Sequence, residues 1–359
     1  MILKTFWKGP LPALLPAVLL LFAAGVEPAQ AKKPLRSPWD LQPVQLTDVA
    51  YGCPQPAHLS ADLTTDGFYS DSKSSIIDPV KWKAYAESSG PYKKLGNEVV
   101  AAADAYRSSG SRAAAECVFR LLTHAASDGV FTGRMSSRQA YYVQGWVIGA
   151  AAIAYLKVRD SRLADAQEEA KLTRWMMAVA PQTMGFYEKQ MARPGGAREN
   201  NHLYWAGVEI GAIGIAANDR KMFQWAVAAY KNGAEQITDD GTLPLEMRRG
   251  QRALHYHLYA AAPLVYLAEF GKDNGLDLYA YNHNALKRLV DRATAGLAGS
   301  RFFDERTGIP QDTPKGPPTA EEIGWAKVYV KRFPDPAIEA LLEKAPSLSY
   351  MYLGGLPPG

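Results

Sequence analysis

Apolar residues recur at helical spacing along most of the chain. Leu95, Val99, Val100, Ala103 and Tyr106 form one stripe, and Ala114, Cys117, Val118, Leu121 and Leu122 form the next. Further helix-like runs follow near 135–158, 161–180, 201–217, 219–236, 248–270, 283–297, 320–333 and 336–344. No segment has the Val/Ile/Thr alternation of a half-buried strand, and no strand–Gly-rich turn–helix unit is present. Residues 32–80 break the pattern. Pro34, Pro38, Pro43, Pro54 and Pro56 interrupt any helix there, which predicts an irregular amino-terminal arm packed on a helical body over 81–359.

Three helix entries resemble one another. Arg138-Gln139-Ala140-Tyr141-Tyr142, Asn200-Asn201-His202-Leu203-Tyr204-Trp205 and Arg252-Ala253-Leu254-His255-Tyr256-His257 each lead into a small, apolar helix. The copies lie roughly 55–60 residues apart, about one helical hairpin with its loops. A helix that is apolar all round is covered on all sides, as the inner helices of a ring of hairpins are. The expected fold is therefore all-α, an incomplete α/α toroid, with the polar entries converging on a cleft at one end; an open solenoid is the alternative. Gly207, Gly211 and Gly214 lower helix propensity, and close helix packing is the expected reason for them.

Composition narrows the class. The 359 residues are 47% hydrophobic and 21% charged, which excludes a disordered chain. Lys+Arg of 40 against Asp+Glu of 36 is too even for a dedicated nucleic-acid binder. Residues 1–31 read as a secretory signal: Lys4 and Lys8, an apolar stretch from Leu11 to Ala24, and a small-x-small site at Ala29-Gln30-Ala31. The expectation is a periplasmic protein, secreted if the source is not Gram-negative, without membrane attachment after cleavage and monomeric. In an oxidising compartment Cys53 and Cys117 fit one bridge tying the arm to the body, the alternative being two separate thiols.

There is no HExxH, P-loop, GxGxxG unit or GxSxG elbow, and no spacing that suggests a metal site or a cofactor. Two clusters carry candidate chemistry. The first, Asn200-Asn201-His202-Leu203-Tyr204-Trp205, follows a polar loop through Arg193-Pro194-Gly195-Gly196 and offers amide, imidazole, phenol and indole groups suited to reading a sugar. In the second, Arg249, Arg252, Tyr256 and Tyr259 recur at spacings of three, four and three and so share one helical face. Guanidinium beside phenol recognises a carboxylate and can lower a tyrosine pKa.

On these residues the chain resembles the alginate lyase (mannuronate lyase) family with an α/α toroid fold. The resemblance rests on Asn200-Asn201-His202-x-Tyr204-Trp205 and Gln251-Arg252-Ala253-Leu254-x-Tyr256-His257-x-Tyr259-Ala260. It extends through Phe223-x-Trp225-Ala226-Val227, Asn274-Gly275-x-Asp277-Leu278, Ala285-Leu286-Lys287-Arg288-Leu289 and Gln311-Asp312. It implies metal-independent β-elimination on an acidic polysaccharide, with Tyr256, His202, Arg249 and Asn201 catalytic. Asn200, Tyr204, Trp205, Arg252, Tyr259 and Lys73 are the expected substrate-binding residues. The resemblance also implies a Cys53–Cys117 disulfide.

The chain departs from the family pattern in two places. Asp66 stands where a loop lysine is expected, with no arginine after it, and Tyr352 stands where an arginine is expected. Polyglucuronate or another 1,4-linked polyuronate is therefore the alternative substrate to a mannuronate polymer. Two other classes compete: a non-catalytic acidic-exopolysaccharide binding or export protein, and a glycoside hydrolase. The hydrolase would need two carboxyls facing across the cleft, with Glu209 and Glu246 as the nearest candidates.

Overall fold

Helix α1 (Pro79–Ser109) begins at a local signal: the Asp78 carboxylate accepts from the N–H groups of Val80 and Lys81, and Pro79 takes the first helical position. The sequence pattern placed helical periodicity only from about Tyr92. The first turns of α1 are mostly exposed, with only Tyr85 and Ser89 buried, so they carry no apolar stripe to read. The computed structural model describes Met1, Gly9 and residues 33–192, 200–313 and 316–359. The remainder of the expected signal, 1–31, and the loop through Gly195-Gly196 lie outside the described residues.

The chain then runs through α2 (Arg112–Ser127), α3 (Arg138–Val158), α4 (Ala166–Met191), α5 (Asn201–Ala216) and α6 (Arg220–Gln236). A short α7 (Pro244–Met247) precedes α8 (Ala253–Asp273), α9 (Tyr281–Ala298), α10 (Arg301–Thr307), α11 (Ala326–Arg332) and α12 (Pro336–Lys344). No strand forms among the described residues, only isolated bridges.

Inner and outer helices are told apart by burial. Fourteen of the sixteen residues of α5 are buried, against eight of seventeen in α6. The inner helices pack in sequence, α1 on α3, α3 on α5 and α5 on α8, while α2 packs on α1, α4 and α6 on α5, and α9 on α8. This is the expected all-α toroid of hairpins. The α5 glycines permit its close contacts: a Cβ at Gly214 would come within 2.8 Å of the Phe223 backbone N, and one at Gly207 within 2.9 Å of Leu267.

The C-terminal turn Met351–Leu353 packs on α1, α3 and α8, joining the first and last inner helices. It is held from below by Lys157, whose buried Nζ donates to Asp104 (2.6 Å) and to the carbonyls of Gly354 and Leu356. Gly355 has φ +94 and leaves no room for a side chain, since a Cβ there would meet Asp104 at 2.3 Å.

The arm before α1 is irregular apart from a 3₁₀ turn at Pro38–Leu41 that buries Trp39. One side of α2 and the Asp128 cap at its C-terminus grip it. Cys117 forms a disulfide with Cys53, Arg120 donates to the carbonyls of Cys53 and Pro54, and Asp128 accepts from the Leu59 N–H and pairs with His58.

Candidate functional site

The polar entries of α3, α5 and α8 meet at one end of the ring, around a cleft of about 990 Å³. Arg138, Gln139 and Tyr142 come from α3, and Asn200 and His202 from the start of α5. Arg248, Arg249 and Tyr256 come from the α7–α8 junction and α8, while Gly67, Tyr69 and Lys73 belong to a loop of the arm. Among the described residues five cations line the cleft, Lys73, Arg138, Arg248, Arg249 and Arg306. Asp71 is the one carboxylate lining it among the described residues. Burial works against the Asp71 charge, but the N–H groups of Ile76 and Ser75 outweigh it and hold the carboxyl at about 2. The cleft is therefore strongly positive, although the whole chain is nearly balanced.

Tyr256 lies at the cleft with its hydroxyl 2.8 Å from that of Tyr69. Arg252 donates to the Tyr69 hydroxyl at 2.8 Å, and the Arg249 guanidinium sits 4.1 Å from the centre of the Tyr256 ring. The sequence reading expected this charge to lower the Tyr256 pKa. Arg249 and Arg252 do act in that direction, but burial and the neighbouring Tyr69 outweigh them and leave the Tyr256 pKa raised. Tyr256 is a phenol in this state.

The shared face of 249, 252, 256 and 259 also needs correction. The helix starts at Ala253, not near 248, because Gly250 at φ +59 opens a 3₁₀ turn (Gly250–Arg252) in front of it. Arg249 reaches Tyr256 from the residue just before that turn rather than from the same helix.

His202 is partly buried, with its ring stacked 3.6 Å from Tyr142. Burial, together with Arg249 and Arg138, keeps its pKa well below the usual value, so the ring is neutral. Asn200 caps α5, its side chain accepting from the His202 N–H. Asn201 is fully buried behind the cleft wall, where its backbone and side-chain N–H groups both donate to Glu246 Oε1 (3.0 and 2.8 Å). The other oxygen of Glu246 lies 3.5 Å from Arg249 Nε. One buried carboxyl thus joins two of the expected catalytic residues.

Not every expected residue reaches the cleft. Tyr204 turns the opposite way, toward α6, where it packs on Gly233 and accepts a hydrogen bond from Gln236. Two positions along a helix is more than half a turn, which separates Tyr204 from His202. Trp205 and Tyr259 pack on each other (4.8 Å between rings), with Tyr350 and Tyr352 against Trp205, in an aromatic layer beneath the cleft. Lys73 lines the cleft, and Arg252 approaches it through Tyr69.

The sequence pattern assigns no site role to Tyr69, Arg138, Gln139 or Tyr142, and it offers Glu246 only as a candidate hydrolase carboxyl. Arg138, Gln139 and Tyr142 were legible in the repeated helix entry. Tyr69 carried no such signal, because it sits in the arm.

Glu209 and Glu246 are both buried and neither lines the cleft, so the pair of facing carboxyls that a glycoside hydrolase needs is not formed among the described residues. His257 is structural, accepting from the Leu243 N–H and donating to the Ala253 carbonyl. One group of described residues could hold a metal, His58, His124 and Asp128, and it lies on the arm and α2 away from this cleft. No helix among the described residues is long and apolar enough to cross a membrane.

The alginate lyase family model matches residues 62–303. A polysaccharide lyase of Stenotrophomonas maltophilia is 36% identical over 286 residues, 79% of this chain and 82% of that protein. An alginate lyase of Pseudomonas fluorescens is 32% identical over 314 residues, 84% of this chain and 83% of that protein. An alginate lyase of Cobetia marina is 33% identical, covering 83% and 82%. In fold, the chain superposes on alginate lyase A1-III complexed with a tetrasaccharide at a TM-score of 0.75, with 23% identity and 86% of each chain covered. With this cleft on an all-α toroid, the chain belongs to the alginate lyase family of polysaccharide lyases.

Proposed function

We propose that the protein is an exported enzyme that cleaves a 1,4-linked polyuronate of the alginate type by β-elimination, leaving 4,5-unsaturated uronate ends. The observation that carries this is the Tyr256 phenol beside the Arg249 guanidinium in a cleft lined by five cations. In this reading residues 1–31 direct export, 32–80 form the arm and 81–359 the catalytic body.

The hydrogen on uronate carbon 5 is weakly acidic until the adjacent carboxylate is neutralised. Arg249 supplies positive charge, and neutral His202 supplies a hydrogen-bond donor. Asn201, being buried, acts as a positioning residue through Glu246. Tyr256 serves both ends of the elimination. As the C5–H bond breaks, the phenol oxygen takes that hydrogen and its own hydrogen passes to the glycosidic oxygen. The C5 electron pair becomes the C4–C5 double bond, and the C4–O bond breaks. Tyr256 ends as it began, which suits a residue held as phenol. Tyr69, 2.8 Å away, orients that hydroxyl.

Substrate choice among uronates is the finer point. Asp66 is exposed next to cleft-lining Gly67, and Tyr352 stacks on Trp146 at 4.6 Å. These are the two positions where the chain replaces an expected cation, and they favour testing polyglucuronate beside mannuronate. A panel of polymannuronate, polyguluronate and polyglucuronate, followed by ultraviolet absorbance of the unsaturated ends, tests the proposal. Rising absorbance with at least one polymer is expected; no rise with any of them overturns it.

A further inference from the structure

Adjoining the cleft, and sharing Tyr142 and His202 with it, is a small, partly open cavity of about 10 Å³, room for roughly one water. His202, Trp205 and Glu209 from α5 line it, with Gly145 from α3 and Thr183 and Tyr187 from α4. His202 also lines the cleft, so its ring forms part of the wall between the two spaces. Three enclosed polar atoms here have no hydrogen-bond partner: His202 Nδ1, Trp205 Nε1 and Glu209 Oε2. Buried polar atoms are rarely left so, and three around one water-sized space point to a shared bridging molecule.

The protein has made room for the carboxyl as well. A Cβ at Gly145 would come within 3.0 Å of Glu209 Oε2. On the other side, Gln144 Nε2 donates to Thr183 Oγ1 (2.8 Å), which donates to Glu209 Oε1 (2.9 Å). Oε1 is thus an acceptor, leaving Oε2 to carry the proton of a neutral carboxyl. Burial keeps Glu209 neutral, with its pKa pushed up to about 8.

We propose that Glu209, through one buried water shared with Trp205, fixes His202 in the tautomer that carries its proton on Nε2. The water accepts from the Glu209 hydroxyl and the Trp205 indole N–H. It then donates to His202 Nδ1, which must be unprotonated to accept. The remaining proton of neutral His202 is on Nε2, so the ring offers the substrate a donor and not a base. Glu209 is in this sense a positioning residue, acting through His202. The inference rests on the proposed role of His202 in the cleft, but the tautomer can be read without any substrate.

The test uses full-length protein labelled with ¹⁵N-histidine, with the His202 signal assigned by its loss in His202→Ala. Long-range proton–nitrogen spectra should show the Nε2–H form in the native protein. Glu209→Gln keeps an acceptor for Thr183 and a donor for the water, so it should keep that form and hold kcat within about twofold. Glu209→Met removes the donor; His202 should shift toward the Nδ1–H form and kcat should fall about tenfold or more with little change in KM. Trp205→Phe, which removes one donor and keeps the ring, should shift the tautomer in the same direction and serves if the Met variant does not fold. A native His202 in the Nδ1–H or charged form overturns the proposal, as does a tautomer that neither variant alters. If no polyuronate is cleaved but the tautomer still follows Glu209, the functional reading fails and this one stands.

Discussion

The hydroxyls of Tyr256 and Tyr69 lie 2.8 Å apart, although 187 positions separate the two residues. Tyr69 in turn accepts from Arg252, so a loop of the arm completes the surroundings of the α8 tyrosine. Tyr256→Phe should lower kcat by about 10³-fold or more while polymer affinity persists. Tyr69→Phe should lower kcat by a smaller factor, about tenfold, and the double variant should be no worse than Tyr256→Phe alone, since the two act as one unit. Steady-state absorbance assays on the three variants check this, and additive losses would contradict it.

Glu246 holds Asn201 through two hydrogen bonds and faces Arg249, from almost complete burial. Glu246→Ala leaves two N–H donors and a guanidinium without their acceptor, at a cost of about 3 kcal/mol. A fall in Tm together with a loss of kcat/KM is the expected outcome. An active variant with unchanged Tm would remove Glu246 from this role.

Glu209 gives the folded protein a pH signature. In the fold it keeps its proton up to about pH 8, whereas the unfolded chain loses it near 4.5. Between those values the folded state holds the extra proton, so stability from this group falls as pH rises, by at most roughly 1.4 kcal/mol per pH unit. Glu209→Gln cannot ionise and should flatten the decline in Tm between pH 5 and pH 8. An identical slope in both proteins would contradict the assignment.

The Cys53–Cys117 disulfide joins the arm to α2 well away from Tyr256. Its removal as the double Cys→Ser variant should cost about 2–4 kcal/mol of stability. Thermal melts with and without reductant should show this for the native protein and no difference for the variant. Activity at 25 °C should be largely retained.

Five cations around the cleft predict a strong dependence on salt. KM for a polyuronate should rise steeply with ionic strength while kcat changes little, because screening weakens attraction of the polymer but not the enclosed chemistry at Tyr256. Arg248→Ala, removing a cleft-lining cation, should reduce that salt slope. A KM independent of salt would contradict it.

The sequence by itself determined the inner helices, apart from where α1 and α8 begin, together with the ring of hairpins and the convergence of three polar helix entries, because burial on all sides forces inner helices to be apolar throughout. It also carried Tyr256, His202, Arg249 and Lys73 to the cleft. The periodicity misled where a short break intervened, as at Gly250, and where a side chain two positions along points elsewhere, as at Tyr204. Tertiary structure alone decided the rest. The arm that brings Tyr69 to Tyr256 has no periodicity, and its placement depends on contacts with α2 and α8. The direction of the Tyr256 pKa follows from how much water is excluded around it, a sum over many distant residues that outweighs two guanidiniums close in sequence.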